Sequence, residues 1–103
     1  MEINFKEIKF KTKLANDKER PDLLAYIWLT LIDGHGRSLT IGGFTLRKSK
    51  FNGKPYLVPP SKSTPVGFYK FVLIERTLWR EIEKEAISQY DYEIIPIIEE
   101  KKR

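Results

Sequence analysis

Residues 23–32, LLAYIWLTLI, constrain the fold more than any other stretch. They are apolar at both parities. Leu23, Ala25, Ile27, Leu29 and Leu31 share one side of an extended chain; Leu24, Tyr26, Trp28, Thr30 and Ile32 share the other. Ten residues could also make a short buried helix. But Asp33-Gly34 follows at once, and the run beyond is rich in β-forming residues, so the stretch reads as a strand. Such a strand needs cover on both faces. The chain offers one amphipathic helix for that task, so the second face calls for another copy of the chain.

The neighbouring segments supply its sheet. Residues 33–38, DGHGRS, connect a hairpin, with Gly34 and Gly36 free to take positive φ. Residues 39–46 return as a strand, and Gly42-Gly43 within it marks a bulge or bend. Asn52-Gly53 is the strongest short hairpin signal in the chain. It joins a basic strand ending at Phe51 to a brief one bounded by Pro55 and Pro59-Pro60, an edge position. Before the central strand, residues 1–14 alternate with a phase flip that predicts a bulge near Lys6-Glu7. Lys9, Lys11 and Lys13 then line one face of an edge strand. Residues 15–21 are a loop.

Residues 61–67, SKSTPVG, read as a loop and residues 68–74 as a further strand. A helix follows, with Thr77 as the expected N-cap. Its stripe is Leu78, Ile82, Ala86 and Tyr90, widened by Trp79 and Ile87. Trp79 reads as a core residue. Glu81, Glu83 and Glu85 do not converge on one face, so they make no metal site. Residues 91–103 read as a tail, with isoleucines flanking Pro96, able to add an edge strand or pack on a partner. The expected fold is a single α+β domain: an antiparallel sheet of about five strands with one C-terminal helix. Its core spans residues 22–91, with 92–103 as an extension. At 103 residues the chain is long enough for one modest core.

Charge is unevenly spread. Between Asp33 and Glu75 there is no acid, and Arg37, Arg47, Lys48, Lys50, Lys54, Lys62 and Lys70 give +7. Residues 1–33 are neutral and residues 75–103 carry −2, so this middle third supplies the whole net charge of +5. Phe51, Tyr56, Phe68 and Tyr69 are interleaved with the bases. A one-sign block of this kind suits a polyanion; the plainer reading is a solvated face that keeps a small protein soluble.

Little else in the sequence carries chemistry. There is no cysteine, which excludes disulfides and cysteine-based zinc sites and fits a reducing cytoplasm. The longest apolar run is too short for a helix to span a bilayer. His35 is the one histidine, set between two glycines in a turn, and no triad follows from Asp33 beside it. Neither GxxxxGK[ST] nor GxGxxG occurs. The expectation is a protein that is not an enzyme, with no cofactor, small-molecule substrate or membrane partner.

A family resemblance rests on Asn52-Gly53, Tyr56-Leu57-Val58, Pro60-Ser61-Lys62, Thr64-Pro65 and Gly67, with Ile82, Ile87 and Tyr90 in step on the helix. This pattern resembles the SpoVG family (stage V sporulation protein G, putative septation protein) over residues 24–90. The chain departs from it at Pro59, where the family usually has Met. It departs also at Ser63, Val66 and Trp79, and in lacking a His-Pro pair after Gly67. The resemblance implies a small α+β fold that dimerises through strands. It also implies a cytoplasmic regulator that binds DNA, in some members RNA, linked to septation and sporulation.

Two readings follow. In the first, the chain is a homodimeric nucleic-acid-binding regulator, and Arg47, Lys48, Lys50, Lys54 and Lys62 contact phosphates. Lys48, Lys50 and Lys54 share a parity across the turn and form its cluster. In the alternative, the chain is a protein-interaction module in cell division whose basic face meets an acidic partner.

Overall fold

The computed structural model describes residues 5–16 and 18–101. Four strands form an antiparallel sheet in chain order: β1 (Phe5–Leu14), β2 (Leu23–Asp33), β3 (Ser38–Lys48) and β4 (Pro55–Val58). A separate two-stranded sheet follows, β5 (Ser61–Thr64) with β6 (Gly67–Lys70). One helix, α1 (Arg76–Lys101), completes the domain.

The expected irregularities are in place. The β1–β2 register shifts between Phe5 and Glu7. Across β2–β3, Ile27 pairs with Phe44 but Leu29 with Ile41, so the extra residue falls at Gly42-Gly43. The reason is packing. The edge of the Trp28 indole lies over bare Gly42, where a Cβ would sit 3.0 Å from it. Gly43, at φ +91°, lies against Pro60, where a Cβ would sit at 3.2 Å.

Three expectations need correction. The loop at 61–67 and the strand at 68–74 are instead the β5–β6 hairpin, and residues 71–75 are irregular, so among the described residues six strands in two sheets stand where a sheet of about five was expected. Pro65 is the first of the two linking residues, the i+1 position where its fixed φ is favoured, and Gly67 closes the turn at φ +129°. The helix starts two residues early, at Arg76, because Glu75, not Thr77, caps it. The two Glu75 carboxylate oxygens accept the Thr77 and Leu78 amides, each at 2.9 Å. Lastly, residues 91–101 are helix rather than tail, and α1 continues through Pro96. That proline gives up one amide bond, a loss that an already established helix absorbs.

The core lies between α1 and one face of the larger sheet. Ala25, Ile27 and Leu29 of β2, Phe44 and Leu46 of β3 and Leu57 of β4 meet Ile82 and Ala86 of α1, all at most 4% exposed. Trp79 stacks on Phe44 with centroids 6.3 Å apart. Glu83 accepts the Leu57 amide at 3.1 Å, which ties the helix to β4.

The other face is less apolar than the alternation of β2 implies. Register puts Lys9, Lys11 and Lys13 beside Thr30, Trp28 and Tyr26 on it. Thr30 and Thr40 share a 2.8 Å hydrogen bond across β2–β3. Lysine stems and paired hydroxyls thus cover part of what a second copy was expected to cover.

Candidate nucleic-acid interface

The β3–β4 connection is a tied loop, not a two-residue turn. β3 ends at Lys48, so Lys50 and Phe51 lie outside the strand and parity does not group the lysines as expected. The loop's own hydrogen bonds group them. The Ser49 amide donates to the Lys54 carbonyl and the Gly53 amide to the Ser49 carbonyl, both at 2.9 Å. Asn52 Oδ1 accepts the Lys54 amide at 2.9 Å, and Gly53 takes φ +69°. Lys48, Lys50, Lys54, Phe51 and Tyr56 line a shallow depression of about 510 Å³. Phe51 is fully exposed at the loop tip.

The two arginines of the basic block are engaged elsewhere. Arg47 reaches back to Asp22, Nη1 to Oδ2 at 3.2 Å, and Asp22 also accepts the Lys48 amide through its carbonyl at 2.7 Å. Arg37 donates through Nε to Asp33 at 2.6 Å. Asp33 is buried, which raises its pKa. The His35 and Arg37 amides, with the Arg37 guanidinium, outweigh that and hold it below the ordinary 3.8. Asp33 is therefore a turn-closing carboxylate, and His35 contributes to that turn through its backbone.

The positive charge left over belongs to lysines. Among the described residues, no acid pairs with Lys48, Lys50, Lys54, Lys62 or Lys70. Lys62 lies on β5 opposite Tyr69 and lines no part of the loop depression. Lys70, not among the expected contacts, pairs with Ser61 and lines a second depression of about 630 Å³ with Arg47, Lys50 and Tyr56. The signal for its placement was the Thr64-Pro65 turn, which folds β6 back along β5. Among the described residues no three His, Asp or Glu side chains converge as metal ligands would, and no helix is long and apolar enough to cross a membrane.

Fold and surface together define an α+β domain with one sheet face under a helix and the other edged by lysines. Compared with protein-family models, with curated proteins and with solved structures, the chain matches none.

Proposed function

We propose that this chain is a small nucleic-acid-binding regulator whose primary phosphate contacts come from the β3–β4 loop. The observation that carries the reading is the grouping of Lys48, Lys50 and Lys54 around an exposed Phe51, with no acid paired to them among the described residues. Lysines act as mobile point charges, so these contacts hold phosphate and leave base edges unread. Arg47 is a support for the loop in this reading, since Asp22 holds it. Lys70 joins the contact surface; Lys62, on the opposite face of the β5–β6 hairpin beside Tyr69, is not part of it.

A homodimer and a cytoplasmic role in septation or sporulation belong to the same proposal. The role rests on the motif resemblance across residues 52–67. Self-association is supported by the large apolar side chains left exposed, Leu39, Tyr92 and Ile95 at 55%, 77% and 51%. Sedimentation at micromolar concentration tests it, and a monomer there overturns it.

Gel shift across a salt series tests the binding. Changing Lys48, Lys50 and Lys54 together to Gln should reduce the slope of log K against log salt by about 2 to 3 units, with similar losses on all base sequences. Unchanged affinity and slope in a folded triple variant would return the block to a solvated face. Failure of the unmodified protein to shift any nucleic acid would favour an acidic protein partner instead.

A further inference from the structure

The sheet face opposite α1 carries a second arrangement that the loop lysines do not explain. Tyr26 and Trp28 follow each other along β2, two residues apart and on the same side, and Tyr56 stands on that side of β4. Tyr26 and Tyr56 are 38% and 41% exposed. On one flank of this aromatic group runs the β1 lysine row, with Lys11 Nζ 5.7 Å from the centre of the Trp28 ring. On the other flank are Lys50 and Lys70, beside the Arg47–Asp22 ion pair. Glu7 and Asp22 lie at the ends of the face, Glu7 paired with Lys9 and Asp22 with Arg47, which leaves Lys11 and Lys13 of the row without an acid partner among the described residues.

Trp28 is also held in a defined pose. With Gly42 beneath its edge, the indole rests against the backbone of β3, and a side chain at residue 42 would displace it. An aromatic ring fixed on a sheet, between two cationic margins, has the chemistry of a stacking surface. Aromatic faces accept any base, and the flanking cations follow the phosphates on either side. A duplex keeps its bases stacked on one another and cannot use such a face, whereas a single strand can.

We propose that this open face binds single-stranded nucleic acid, with Trp28 and Tyr26 stacking on unpaired bases and the β1 lysines holding the phosphates. The inference rests on the nucleic-acid reading above and adds to it the strandedness of the ligand and a second contact surface. It also gives Lys9, Lys11 and Lys13 a role outside the basic middle third.

The test compares three ligands on the unmodified protein: a fifteen-nucleotide oligothymidine, an abasic strand of the same length, and a duplex. Tryptophan emission is followed in a Trp79→Phe variant, which leaves Trp28 as the sole reporter. The expected result is quenching by oligothymidine and at least about tenfold weaker binding of the abasic strand. Trp28→Leu should lose about tenfold for oligothymidine and leave duplex affinity unchanged, while Trp28→Phe keeps most of the binding. If the abasic strand binds as tightly and Trp28 emission does not change, the stacking face is refuted while phosphate binding by the loop stands. If none of the three ligands binds, both readings fall together.

Discussion

Phe44 and Thr45 are adjacent on β3 and opposite in setting. Phe44 is 1% exposed beneath α1, stacked on Trp79; Thr45 faces the other way, in register with Tyr26 and Val58. The helix side is closed by large apolar groups that exclude water and fit one another. The open side is a mixed surface of rings, hydroxyls and lysine stems. Stability is therefore concentrated on one face, and the other is free to be shaped for binding.

The sharpest way to break that contrast is to truncate both neighbours. Phe44→Ala should cost about 3–5 kcal/mol, as for other large core aromatics. Thr45→Ala should cost under about 1 kcal/mol, the scale of one cross-strand pair. Urea unfolding measures both. Comparable losses would mean that the open face is as tightly covered as the helix side.

The helix side has one flaw, and repairing it should sharpen the comparison. Thr12 shares that face with Ile27, and its buried hydroxyl finds no hydrogen-bond partner among the described residues. Thr12→Val keeps the shape and removes the unsatisfied group, for an expected gain of about 1 kcal/mol in the same assay. A loss would reveal a partner for the hydroxyl.

A smaller effect should appear at acid pH, at the start of the element that closes the helix side. The Thr77 and Leu78 amides hold the Glu75 pKa below its ordinary 4.5. Its stabilising contribution is thus fully present above pH 4.5 and is lost as pH falls through the lower, folded value. Glu75→Gln should lower the melting temperature at pH 7 and lose that difference towards the acid end. A difference independent of pH would show that the charge of Glu75 is not what caps α1.

The smallest effect should come from His35, in a turn outside both faces. His35→Ala should change stability and binding by no more than about 0.5 kcal/mol, read by urea unfolding and gel shift. A large loss of any activity would give that side chain a role the turn does not require.

The strands of the larger sheet were legible because their signals are local. β2 is apolar at both parities, Asp33-Gly34 and Asn52-Gly53 mark turns, and paired glycines mark the bulge. The β5–β6 hairpin was not legible, since SKST has no apolar alternation and its turn depends on Pro65. Residues 91–101 were hidden by Pro96, which reads as a helix breaker although an established helix can absorb one missing bond. At the site, charge counting found the basic block. It could not find the partners of the block: Asp22 is 25 residues from Arg47 in sequence, and only the β2–β3 pairing brings them together. The open face was half legible. Alternation aligned the three β1 lysines, but nothing in sequence placed Trp28 between them and Gly42.

The meander order of the larger sheet bears on how the chain is made. Each strand of β1–β4 pairs with its neighbour in sequence, so the sheet assembles from short-range contacts and should form quickly. The helix that seals it comes last. At ordinary elongation rates a nascent chain that has completed β4 waits roughly a few seconds for α1 to follow. During that interval Ala25, Ile27, Leu29, Phe44 and Leu46 form an uncovered apolar surface on a sheet with free edges. Aggregation of this protein during expression should thus originate in the unfinished chain and respond to the speed of translation across residues 59–101.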